Sequence, residues 1–277
     1  MSPLIEASEL SALPADNLVI VDARSGSDSY DRYLQGHLEG AVFVDLDNDL
    51  AAHPQDAAYG GRHPLPEPQA FAALLGKLGI TPQTHIVIYD DKAAANPAAR
   101  LWWMLRAIGH EKVQVLNGGL HAVIGGGLTL SQEPVTPTPQ TYPVPSGFNG
   151  TVELEEVGTA AQDANRIVID VRETPRYLGK TEPLDLIAGH IPGAVNIPYA
   201  TNMDAENKYL PVDNLREVYQ EKLGNVQLND VIVHCGSGVT ACHTLLALYY
   251  AGIKGAKLYV GSWSEWSRRD LPIATEE

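Results

Sequence analysis

Short apolar runs rich in Val and Ile recur along the chain, each closed by a polar or glycine-bearing turn. Leu18-Val19-Ile20-Val21, His85-Ile86-Val87-Ile88-Tyr89, Val113-Gln114-Val115-Leu116, Ile167-Val168-Ile169, Val231-Ile232-Val233-His234 and Lys257-Leu258-Tyr259-Val260 are the clearest. Runs of this length and β-branched content predict buried strands. Between them, Pro68 to Leu78, Ala98 to Ile108, Leu215 to Leu223 and Thr240 to Tyr250 place apolar residues at helical spacing. Strands that alternate with helices predict an α/β fold, a mostly parallel sheet with helices on both faces.

The pattern occurs twice. Val21-Asp22-Ala23-Arg24 and Ile169-Asp170-Val171-Arg172 are strand ends of the form Asp-x-Arg. Each is followed by a polar stretch with a tyrosine and then a matching turn, Gly36-His37-Leu38-Glu39-Gly40-Ala41 and Gly189-His190-Ile191-Pro192-Gly193-Ala194. The strand at His85 answers the one at Val231, and the loop position of Cys235 is answered by Asp91. Copies of well over a hundred residues are domains, not solenoid repeats. The predicted organisation is a first domain over 1–130, a linker over 131–150 and a second domain over 151–277. The linker holds Pro134, Pro137, Pro139, Pro143 and Pro145, which favour extended chain. Cysteine is absent from the first copy, so only the second can carry thiol chemistry. The first is then a scaffold, or a donor of groups to a shared cleft.

Charge narrows the partners. Nineteen Lys and Arg against 34 Asp and Glu leave a net charge of −15, which argues against nucleic acid and anionic membrane. An anionic substrate needs local positive potential, so individual arginines matter. Two cysteines in 277 residues make no disulfide framework. Met1 to Leu10 lacks an apolar signal-peptide core, and no apolar run reaches membrane-spanning length. A cytoplasmic protein is expected. Neither a Gly-x-Gly-x-x-Gly turn nor a cluster of Cys and His ligands is present, so no metal or organic cofactor is expected.

The candidate chemistry sits at Cys235-Gly236-Ser237-Gly238-Val239-Thr240. Here a strand ends, a glycine loop follows and a helix begins, the edge where open α/β sheets bind ligands. Helix N-terminal amides favour an anion, including a thiolate. A phosphate-transfer loop would need an arginine at its end; this one ends in Val239, Thr240 and Ala241. Cys242, inside the helix, reads as an ordinary buried cysteine.

The repeat, the two Gly-His-x-x-Gly-Ala turns and the Cys235 loop together resemble two-domain rhodanese-type sulfurtransferases. The segments Arg100-Leu101-Trp102-Trp103 and Gly261-Ser262-Trp263-Ser264-Glu265-Trp266 extend the likeness over nearly the whole chain. The uncharged Gly236 and Ser237 after the cysteine resemble the branch that uses 3-mercaptopyruvate rather than thiosulfate. The resemblance implies two tandem rhodanese-like domains and a Cys235 persulfide held by the amides of Gly236, Gly238, Val239 and Thr240. It also implies a proton relay of Ser237, His37 and Asp28, and Arg176 as the grip on the donor carboxylate. His37 has a structural alternative, since His190 takes the same place in the second copy. A second arginine common in the family is replaced here by Asp185, and Lys180 is a nearby cation that an inward fold would bring to its place. The trytophan-bearing segments fit a core or cleft wall. The implied reaction passes sulfur from a small-molecule donor to cyanide or to a thiol acceptor, either thioredoxin or a low-molecular-weight thiol. Thiosulfate sulfurtransfer and a non-catalytic persulfide carrier are the alternatives.

Overall fold

The computed structural model describes residues 1–224 and 226–275, the side chain of Leu228 excepted; the last two residues of the expected second domain lie outside it. Two compact units are present. In the first, β1 (Leu4–Ile5), β2 (Leu18–Arg24), β3 (Val42–Asp45), β4 (His85–Tyr89) and β5 (Val113–Leu116) form one sheet in the order β1-β5-β4-β2-β3. In the second, β6 (Thr151–Val152), β7 (Ile167–Asp170), β8 (Val195–Asn196), β9 (Val231–His234) and β10 (Lys257–Tyr259) pair in the order β6-β10-β9-β7-β8. Every pairing in both sheets is parallel. The two orders are the same, strand for strand, so the repeat read from the sequence is a repeat of topology. Parallel strands buried on both faces need continuous apolar runs. Accordingly Ile86, Val87 and Ile88 in β4 and Val231, Ile232 and Val233 in β9 are fully buried.

The helices fall where the periodicity puts them, at Pro68–Lys77, Pro97–Ala107, Val212–Leu223 and Thr240–Tyr250. Proline opens the first two, where its missing N–H costs nothing. Trp102 and Trp103 are buried in the first unit, and Trp263 and Trp266 belong to the core of the second with Val152, Val168 and Ile232.

The Asp-x-Arg strand ends have one job in both units. Arg24 donates to both oxygens of Asp22, at 2.8 and 2.7 Å, and to the carbonyl of Gly36 at 2.8 Å. Arg172 donates to Asp170 and, at 2.6 Å, to the carbonyl of Gly189. Each buried pair thus ties a central strand to its Gly-His turn. The histidines of those turns are likewise equivalent. His37 Nδ1 lies 2.8 Å from the Tyr33 carbonyl with the rings stacked at 3.8 Å; His190 Nδ1 lies 2.8 Å from the Tyr177 carbonyl with the rings stacked at 3.7 Å.

Two details depart from the sequence reading. Strand register pairs Asp22 with Tyr89 and Asp170 with His234. The first-unit residue at the place of Cys235 is therefore Asp90, not Asp91, whose carboxylate forms an ion pair with Arg32. Unit membership also departs from the chain order. Residues 53–64 belong to the second unit and 206–208 to the first, while the proline-rich stretch groups with the first unit as far as Asn149.

Candidate active site around Cys235

Cys235 follows β9 directly and is 3% exposed. Its loop is fixed by the turn after β10. The Cys235 amide donates to Ser262 Oγ at 3.2 Å, whose own hydroxyl donates to the Tyr259 carbonyl at 2.8 Å. The amides of Trp263 and Ser264 donate to the carbonyls of Cys235 and Gly236, at 3.0 and 2.7 Å. Ser262 holds φ at 53°, a left-handed conformation that a serine adopts at a cost. Gly238 has φ of 72°, and a Cβ there would collide with the Val260 carbonyl, so the loop needs glycine. Val239 is buried, and Thr240 opens the helix Thr240–Tyr250. The first amides of an α-helix have no intrahelical acceptor, so this end presents donors and the positive end of the dipole to the loop. Cys242, one turn in, lies with its sulfur 3.4 Å from the Gly238 carbonyl and is buried in the helix–loop packing.

Ser237 is almost buried, and its Oγ lies 2.8 Å from Nδ1 of His63. The relay implied by the resemblance named His37 and Asp28; the side chains give Ser237 a different partner. His37 is fully buried in the first unit with Nδ1 committed to Tyr33, the same structural duty His190 performs. Asp28 sits at the start of the helix Ser29–Gln35, 66% exposed and 3.2 Å from Arg32. His63 reaches Ser237 because residues 53–64 are part of the second unit. The Gly60 amide donates to Glu265 at 2.9 Å and the Arg62 amide to Ser264 Oγ at 3.0 Å. Gly61, with φ of 78°, leaves no room for a Cβ beside the Gly261 carbonyl. One signal for this was in the sequence. The run Gly60-Gly61-Arg62-His63 is not repeated in the second copy.

Arg176 lies in the last turn of the short helix Thr174–Tyr177. Its guanidinium is held by Glu182, with Nη2 to Oε1 at 2.7 Å and Nε to Oε2 at 3.2 Å, while Nη1 is 3.5 Å from the exposed Glu173. Burial raises the Glu182 pKa, but the Arg176 hydrogen bond, with loop amides, outweighs it and leaves the carboxyl below its ordinary value. Lys180 is exposed and does not fold inward. Cations come instead from Arg62 and Arg268, both bonded to Asp185 at 3.1 Å. Beneath Cys235, Asp170 is fully buried. Burial raises its pKa, yet His234 at 3.8 Å and Arg172 outweigh that and hold it below the ordinary value. Burial pushes the His234 pKa below its ordinary value, against the pull of the Asp170 carboxylate.

The arrangement suits group transfer: a thiol at a helix N-terminus, a hydroxyl–imidazole pair two residues away, and guanidiniums over the loop. The class itself is shown by comparison with known proteins. The chain belongs to the rhodanese family: the rhodanese-like domain matches residues 6–125 and again 153–269. Among curated relatives, a probable 3-mercaptopyruvate sulfurtransferase of Pseudomonas aeruginosa is 36% identical over 281 residues, 98% of either chain. A thiosulfate sulfurtransferase of Mus musculus is 34% identical, covering 87% of this chain and 80% of its own. Among solved structures, 3-mercaptopyruvate sulfurtransferase from Leishmania major superposes with a TM-score of 0.83 at 30% identity, covering 96% of this chain and 74% of that one. The protein is a rhodanese-family sulfurtransferase, with small sulfur donors and acceptors as substrates. Among the described residues no helix is long and apolar enough to cross a membrane.

Proposed function

We propose that this sulfurtransferase takes sulfur from 3-mercaptopyruvate, and that Cys235 carries it as a persulfide. The observation that carries the donor assignment is the 2.8 Å pair of Ser237 Oγ and His63 Nδ1 beside the cysteine. Mercaptopyruvate and thiosulfate make different demands. Thiosulfate releases sulfite, which needs no proton to leave. Mercaptopyruvate releases the enolate of pyruvate, which does. In the proposed step the Cys235 thiolate attacks the donor sulfur, the S–S bond forms and the C–S bond breaks. The electron pair goes to the enolate, and the proton first carried by the donor thiol ends on its methylene carbon. Ser237 and His63 are placed to hand on that proton. Arg176 orients the donor carboxylate through Nη1, whose contact with the exposed Glu173 at 3.5 Å is weak enough to exchange. The donors around Gly236 to Thr240 stabilise the outer sulfur as an oxyanion hole stabilises its oxygen. The second step passes that sulfur to cyanide or to a thiol, thioredoxin or a small one, and restores the thiolate.

The test is steady-state comparison of the two donors with cyanide as acceptor. A kcat/KM for mercaptopyruvate at least about tenfold above that for thiosulfate is expected, roughly 1.4 kcal/mol in transition-state stabilisation. A preference for thiosulfate at neutral pH would reverse the donor assignment and leave the persulfide step standing.

A further inference from the structure

Directly over Gly236, the residue after the nucleophile, three charged groups meet. A Cβ built on Gly236 would lie 3.2 Å from Arg62 Nη2, 3.5 Å from Arg176 Nη2 and 3.6 Å from Asp185 Oδ2. Two of these suit an anionic donor; the third opposes it. Asp185 is no stray surface acid. Its side chain is 0% exposed, Oδ1 accepts from Arg62 Nε and Arg268 Nη1 at 3.1 Å each, and Oδ2 lies 3.4 and 3.5 Å from the Nη2 atoms of Arg62 and Arg176. A carboxylate thus fills the middle of the guanidinium cluster, where a donor's own negative charge would gain most.

The charge balance follows. Arg62, Arg172, Arg176 and Arg268 face Asp170, Glu173, Glu182 and Asp185: four positive charges against four negative, net zero. Without Asp185 the same set would carry one net positive charge. A fixed buried charge acts on an incoming ion in proportion to the ion's charge, and little solvent screens it. A dianion is penalised by Asp185 about twice as much as a monoanion.

We propose that Asp185 is a specificity-determining residue that filters sulfur donors by charge. It admits donors with a single carboxylate, or zwitterions of no net charge, and disfavours compact dianions such as thiosulfate. This rests on the persulfide reading of Cys235 and deepens the donor assignment, but the two are tested by different numbers.

The experiment follows sulfur loading of Cys235 by intact mass in single turnover, with thiosulfate and 3-mercaptopyruvate as separate donors at low ionic strength. The proteins are the full-length wild type, Asp185→Asn and Asp185→Glu, with melting temperatures recorded. Asp185→Asn is expected to raise the thiosulfate-to-mercaptopyruvate ratio of loading rate constants about tenfold. Asp185→Glu, which keeps the charge, is expected to stay near the wild-type ratio. An unchanged ratio in folded Asp185→Asn overturns the proposal. Should that variant not fold, Arg268→Gln carries the test with the opposite sign. It leaves Asp185 less compensated and is expected to lower the ratio about threefold or more; a ratio that stays put overturns the proposal equally. The wild-type ratio alone judges the donor assignment, and the change in ratio alone judges Asp185.

Discussion

The loops after β4 and β9 are the same strand–loop–helix element used in two ways. In the first unit, Asp90 stands where the second has Cys235. Its carboxylate is fully buried and accepts the amides of Lys92 at 2.9 Å, Ala94 at 2.8 Å and Ala98 at 3.1 Å. Burial raises its pKa, and the three amides pull against that rise. The loop is thus an anion cradle occupied by its own side chain. In the second unit the corresponding side chain is a thiol, and the loop's glycine at 238 takes the left-handed turn that Ala93 and Ala94 take in the first. The comparison teaches that one strand–loop–helix element holds a buried carboxylate by its loop amides in the first copy and carries a thiol in the second. It supports the reading that the second loop stabilises an anionic sulfur.

The largest effect breaks the comparison at its reactive end. Cys235→Ser is expected to abolish sulfur loading, whereas Cys242→Ser keeps most of it. Intact mass after donor treatment should show one added sulfur on wild type and Cys242→Ser and none on Cys235→Ser; sulfur found on Cys242 instead would move the nucleophile. Next come the two histidines. His63→Ala is expected to slow loading from mercaptopyruvate by on the order of 10²- to 10⁴-fold with a modest change in melting temperature, since it removes the partner of Ser237. His37→Ala is expected to do the reverse, costing about 2–3 kcal/mol of stability through its lost stacking and hydrogen bond while the loading rate holds. Denaturant melts and single-turnover rates on both variants separate the two roles; a catalytic defect confined to His37→Ala would restore it to the relay.

At the inert end, Asp90→Ala leaves three amides, two of them buried, without their acceptor. A loss of about 2–4 kcal/mol in urea unfolding is expected, against a far smaller loss for Cys235→Ala, whose side chain carries no such duty. Equal losses would mean that the two side chains hold their loops alike. The smallest effect is a pH dependence confined to the second unit. Glu182 has a carboxyl pKa below its ordinary value when folded, so the unfolded chain binds the proton more readily. Its contribution is fully present above the ordinary glutamate range and is lost as pH falls through the lowered value. Wild type minus Glu182→Gln, measured by denaturant unfolding from pH 7 downward, should shrink in that acidic window. A difference that is flat with pH would show that Arg176 gives the Glu182 carboxylate no preferential hold.

The sequence by itself determined the architecture. Apolar runs, turn chemistry and the duplicated Asp-x-Arg and Gly-His signatures are local or periodic, and parallel sheets need those runs whatever the surroundings. The place of Cys235 between strand and helix was legible for the same reason, since strand end, glycine loop and helix start are neighbours in the chain. Even the structural duty of His37 was readable from its twin, His190. Tertiary structure alone decided which histidine meets Ser237 and which cations meet Asp185. Arg62 and His63 lie more than a hundred residues from Cys235, in a segment between elements that has no periodicity to betray its destination. Their place is set by close packing of Gly61 on the Gly261 carbonyl and by two amides bonded to Glu265 and Ser264. Likewise Asp185, a departure from the family pattern in sequence, becomes a buried counter-ion only because Arg62, Arg176 and Arg268 converge on it. Charges find partners through space, and a chain written in one dimension does not record which ones.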